Sequence, residues 1–176
     1  MVKHDGPVAA HRGPVERAIA LTGRAVAWLT LTMVVLTFGV VVLRYGFDKG
    51  WIWLQESVTW MHAAVFMVAA AWTLQLDGHV RVDIFYRTAS PRRQGWVDLL
   101  GTVVFLAPFC IFLAWVGWDY VAASWRMGEA SREAGGLPAV YLLKSLILVM
   151  PLLLLAQALA ALPRHLAAVR TPPAIT

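Results

Sequence analysis

The side chains able to do chemistry within the apolar stretches of this sequence are few: Thr30, Thr32 and Thr37 in the first; Thr59, His62, Thr73 and Gln75 in the second; Thr102 in the third; Lys144, Ser145 and Gln157 in the last. His62 could in principle hold a haem or relay a proton. A bis-histidine haem needs a second imidazole on a facing helix, however, and the other four histidines lie outside the apolar stretches. A hydrogen bond to a neighbouring helix, or a place near an interface, suits His62 better. Lys144, about one turn into the last stretch, suits snorkelling to headgroups or pairing with a carboxylate better than Schiff-base chemistry. His79 and Asp83, four residues apart, would supply half a metal site and find no further ligands nearby. A single cysteine, Cys110, excludes an intramolecular disulfide, a Cys-x-x-Cys redox pair and a thiolate zinc site. The expectation is a chain with no catalytic, substrate-binding or metal-ligating residue and no cofactor.

The elements that must position these groups follow from composition. The chain has 176 residues, 60% hydrophobic and 14% charged, against about 25% charged in an ordinary soluble domain. A membrane span takes about 20 apolar residues, and four runs meet that length, at about 25–43, 57–76, 96–121 and 139–162. The predicted fold is therefore an all-α membrane protein of four transmembrane helices spanning residues 25–163, with tails at 1–24 and 164–176. The first tail reads as too broken by Gly6, Pro7, Gly13 and Pro14 for a long helix. The first span is too long for a signal-peptide core, and no small-x-small cleavage site follows it. Pro108 and Pro151 should kink spans three and four, Pro163 should end the fourth, and Ala156-x-x-x-Ala160 offers a small-residue face for helix contact. No internal repeat is present, which argues against a self-contained inverted-repeat transporter.

A net charge of +5 and a pI near 9.9 would suggest nucleic acid in a soluble chain. Here ten Lys and Arg fall in the two tails and in the loop after span two, and four, Arg44, Lys49, Arg126 and Arg132, fall on the other side. The positive-inside rule then places both termini in the cytoplasm and accounts for the basic pI without a nucleic-acid partner. Two local expectations follow. Glu56 should pair with Arg44 or Lys49 across the short outer loop, where the start of a helix also favours a carboxylate. The segment from His79 to about Ala89 should lie on the membrane lipid as a short interfacial helix, with Val82, Phe85 and Tyr86 as its apolar face and Arg81, Asp83 and Arg87 toward headgroups.

The run Ala69-Ala-Ala-Trp72-Thr-Leu-Gln-Leu-Asp77-Gly78-His79-Val80-Arg81-Val82-Asp83-Ile84-Phe85 resembles the signature of the small membrane (Q) subunit of tripartite ATP-independent periplasmic (TRAP) transporters. Arg44-Tyr45, Trp51, Glu56, Glu129-Ala-Ser131, Gly135-Gly-Leu-Pro138, Tyr141 and Lys144 extend the likeness in order over about residues 20–163. Gln55 departs from it, standing where many relatives carry a second acidic residue beside Glu56. The resemblance implies a bacterial inner-membrane, multi-pass subunit with no enzymatic activity. It also implies two partners: a large multi-span (M) subunit holding the sodium and substrate sites, and a periplasmic solute-binding protein delivering an organic acid. The small subunit would then be a scaffold in a sodium-coupled secondary transporter. Arg44, Trp51, Glu56, His79, Arg81, Asp83 and Lys144 are its structural or partner-interface candidates, and Arg126, Glu129, Arg132 and Glu133 its candidates for docking the binding protein. Two other classes compete. A cytochrome b-type electron-transfer subunit needs paired buried histidines, and a small autonomous multidrug carrier needs a carboxylate at span centre, whereas Glu56 and Asp98 lie at span ends.

Overall fold

The structure, a computed structural model, describes residues 13–79, 86 and 88–170. It is all-helical among those residues, with four helices long and apolar enough to cross a membrane: α1 (Pro14–Phe47), α2 (Ile52–Gln75), α3 (Pro91–Met127) and α4 (Val140–Arg170). The predicted interfacial helix falls mostly on residues 80–85 and 87, outside the described residues.

Two helices run past the residues expected to stop them. α1 begins at Pro14, well ahead of the apolar run, because proline at the first helical position gives up an N–H that has no intrahelical acceptor anyway. Glu16 reinforces the start by accepting from the Gly13 N–H at 3.2 Å. α4 continues through Pro163 to Arg170, since contacts hold the segment beyond it. Arg164 pairs with Glu16 of α1 at 3.0 Å. Gly95 of α3 lies so near the same segment that a Cβ there would stand 3.0 Å from the Val169 nitrogen and 3.1 Å from the His165 oxygen. Pro108 is accommodated rather than disruptive: the turn just before it, Gly101–Leu106, widens to π geometry, which gives the ring room against the preceding carbonyls.

The helices do not pack in chain order. α1 packs on α2, while α4 packs on α1, α2 and α3; α2 and α3 share no comparable face. α4, last in sequence, is thus central in space. Apart from Gly39, the half-buried residues along α1 are Val26, Leu29, Met33, Leu36, Val40 and Leu43. Their alternating steps of three and four are the period of a left-handed helix pair. A small core gathers one residue from each helix, Ile19, Ala71, Cys110 and Leu154, with Trp72, Leu106 and Met150 around it. The small residues of α4 that are buried are Ala158 and Ala161, not the expected Ala156 and Ala160, which are half-buried on other faces.

Four antiparallel helices leave the molecule with two unlike ends. One carries the described chain termini, joined by Glu16 and Arg164; there the Gln75 side chain also donates to the Glu16 carbonyl at 3.0 Å, tying α2 to α1. The other end carries the two short connections, 48–51 and 128–139.

Candidate functional site

The polar side chains of the spans are used chiefly at the ends, and the most densely bonded group lies at the end with the short connections. α3 stops at Gly128, whose φ of 57° reverses the chain. The 128–139 connection then closes on itself: the Ser131 N–H donates to the Leu137 carbonyl at 3.0 Å and the Gly136 N–H to the Glu133 carbonyl at 3.0 Å. Gly135, with φ of 78°, supplies the left-handed turn this return requires. Gly136 sits against its surroundings so closely that a Cβ would overlap the Ser131 side chain and stand 2.9 Å from Glu56 Oε2.

Glu56, at the start of α2, fills the concave side of this loop. Its Oε1 accepts from the Ser131 hydroxyl and its Oε2 from the Leu137 N–H at 2.6 Å. The expected ion pair with Arg44 or Lys49 is therefore corrected. A carboxylate surrounded by backbone and hydroxyl donors needs no cation, and the loop offers both donors in a fixed fork. That carboxylate ties the start of α2 to the connection between α3 and α4.

A second carboxylate anchors the other end of the same loop. Glu129 Oε2 receives Lys144 Nζ at 2.5 Å and the Ser124 hydroxyl at 2.6 Å. Lys144 also lies 4.0 Å from the centre of the Tyr120 ring. With 16% and 23% of their side chains exposed, Lys144 and Glu129 form a partly sheltered pair. The hydrogen bonds from Lys144 and then Ser124 hold the Glu129 carboxyl below its ordinary range. Lys144 thus takes the carboxylate-paired alternative of the two expected for it. Trp125 completes the joint by donating to the Ser145 hydroxyl at 2.9 Å and tilting over Tyr141 at 4.5 Å between ring centres.

The other candidates are placed as follows. Arg44 is exposed near the end of α1 and Trp51 is exposed at the residue preceding α2. Arg126, Arg132 and Glu133 are exposed on or beside the loop, whereas Glu129 is half-buried within it. Glu133 and Glu56 share a shallow depression of about 340 Å³ with Ile52, Gln55 and Thr59. His79 is exposed after α2, and Arg81 and Asp83 lie outside the described residues. His62 is exposed on α2 with its ring stacked 6.5 Å from Phe66. No group of three or more possible metal ligands occurs among the described residues.

Sequence reasoning assigned no role to Ser131, Leu137, Ser124 and Tyr120. Beyond the family likeness of Glu129-Ala-Ser131 and Gly135-Gly-Leu-Pro138, which gave no partners, the local signal was Gly135-Gly136, a tight return seven residues after Gly128. At the opposite end it missed Glu16 and Arg164, and the Tyr86 hydroxyl that donates to Asp98 Oδ2 at 2.7 Å with His165 Nδ1 3.7 Å from the same oxygen. What the arrangement at the loop end can do chemically is hold shape. Its carboxylates are occupied by donors from the same chain, and its exposed charges are of both signs.

Compared with known protein families, residues 33–168 match one described as "Tripartite ATP-independent periplasmic transporters, DctQ component". The same comparison with curated proteins and with solved structures finds no match.

Proposed function

The chain belongs to the DctQ family, the small membrane component of tripartite ATP-independent periplasmic transporters, and on that premise we propose that it is the fixed scaffold against which a large membrane subunit moves substrate. As a member of that family it is an inner-membrane transporter component. The observation that carries the scaffold reading is the use of its polar groups: Glu56, Glu129, Lys144, Glu16 and Arg164 are bonded to other helices or loops of the same chain. Groups spent in this way rigidify a bundle and leave a carrier little with which to bind and release an ion.

The transported substrate in this reading is an organic acid, coupled to sodium, with both sites in the large subunit and delivery by a periplasmic binding protein. The uneven distribution of Lys and Arg supports an orientation with both termini in the cytoplasm and the Glu56 loop in the periplasm. Arg126, Arg132 and Glu133 would then face the binding protein, with Glu129 fixing the loop that carries them. Vesicles containing the purified chain alone should show no sodium-driven uptake, and uptake should appear when both partners are added. Uptake by the chain alone would overturn the scaffold role.

A further inference from the structure

Two glutamines are buried in the bundle with an oxygen that nothing in the chain serves. Gln157 of α4 is 1% exposed and Gln75 of α2 is 9% exposed, and among the described residues neither Oε1 has a hydrogen-bond donor. Gln75 already uses its amide nitrogen, which donates to the Glu16 carbonyl of α1 at 3.0 Å, so its oxygen is turned away from that bond. An amide oxygen enclosed among helices is destabilising until a donor reaches it.

The two amides leave the same layer of the core. Ala71 of α2 and Leu154 of α4 meet there with Ile19 of α1. Gln75 follows Ala71 by four residues and Gln157 follows Leu154 by three, and both helices run toward the end that carries the described termini. Glu16 precedes Ile19 by three on a helix running the other way, so it comes to that end as well. The direction of Gln157 follows from Arg164, seven residues and two turns further along the same face of α4, whose guanidinium reaches Glu16 at 3.0 Å. α3 lies on another face, where its Gly95 meets His165, Ala168 and Val169. Gln157 is therefore aimed between α1 and α2, on the side of Gln75.

We propose that an ordered water molecule is bound inside the bundle between Gln75 and Gln157, donating one hydrogen to each Oε1 and so joining α2 to α4. Water suits the site because it brings two donors to two acceptors and fits a packed interior. A metal ion suits it less. The carboxylate at this end, Glu16, is already matched by Arg164, which leaves no net negative charge to offset the loss of an ion's hydration. Burial of both side chains also keeps out a donor from another protein.

A structure of the assembled transporter that resolves bound water should show a peak within about 3.2 Å of both oxygens. No peak there, or a protein N–H or O–H donating to either oxygen, would overturn the proposal. So would an ion at the shorter metal–oxygen distance of about 2.3–2.6 Å. Unfolding of the full chain in detergent gives an independent sign. At a dry site Gln157→Met, which keeps roughly the same volume, would raise the unfolding temperature by removing an unpaired polar group. At the hydrated site it should lower that temperature by a few degrees, because Gln75 loses its donor as well. Gln75→Met alone also forfeits the bond to Glu16, so the pair is read as a cycle: the double substitution should lose clearly less than the sum of the two. A rise, no change or additive losses would overturn the site.

Discussion

Glu56 holds its loop with both carboxylate oxygens, and the two donors differ in what they tolerate. The Ser131 hydroxyl can turn to accept as well as donate, but the Leu137 N–H can only donate. Glu56→Gln can therefore keep both attachments, its oxygen accepting from the Leu137 N–H and its amide N–H donating to Ser131, whereas Glu56→Leu removes both: compared with the parent, exchange of the Leu137 amide should accelerate several-fold in Glu56→Leu while amides within α2 are unchanged. Equal exchange in both proteins would show that the loop holds its own shape. The sequence placed Glu56 as a partnered, structural residue but not its partners. They are neutral donors 75 and 81 positions away, and neither carries a charge that marks it in a sequence, whereas Arg44 and Lys49 do. Lys144 was read as snorkelling or carboxylate-paired and Glu129 as a docking candidate, so the charge of each was visible in the sequence but not that the two pair. Hydrogen bonds from Lys144 and Ser124 depress the Glu129 carboxyl below its ordinary value of 4.5. A group depressed on folding contributes stability that is complete above its unfolded value and is lost as pH falls through the lower folded one. Acid loosening of this joint should then lie below about pH 4.5 when followed by the fluorescence of Trp125. Glu129→Gln should abolish the step, and a transition at higher pH would contradict the assignment.

Helix crossings depend on where backbone can approach side chain. Gly23 of α1 lies against Trp72 of α2, so that a Cβ at position 23 would come within 2.5 Å of the indole Cγ. Gly23→Ala should cost about 1–3 kcal/mol by overpacking, read as a lower unfolding temperature in detergent. Adding Trp72→Leu should recover part of the loss; a neutral single substitution would show that α1 and α2 can shift apart freely. At this scale the number and identity of the helices were legible, because runs long enough to cross a bilayer leave little choice of structure. Their ends were not. Pro14 and Pro163 read as stops, yet one sits where a helix tolerates proline and the other is overridden by Gly95 and Glu16, which belong to other helices. The wide turn at Gly101–Leu106 had only Pro108 to announce it.

At the scale of the molecule, the order of neighbours is α1, α2, α4, α3, with α4 also reaching α1. A sequence does not reveal that order in a membrane protein, because a residue facing lipid and one facing another helix are both apolar. What the sequence did convey is that an even number of spans leaves both termini on one side, and Glu16 and Arg164 meet there. The central place of α4 acquires a meaning when the chain is considered in time. A ribosome delivers α1 and α2 first, and they can pair as they emerge. α3 then enters the bilayer beside helices with which it shares no packed face, and it stays unaccompanied until the last stretch is made. A chain cut at residue 139 and released from the ribosome should leave α3 far more open to crosslinking by the insertion machinery than α1 or α2; equal protection of all three would contradict this order. Biogenesis, in this protein, waits for its final thirty residues or so to settle the third helix.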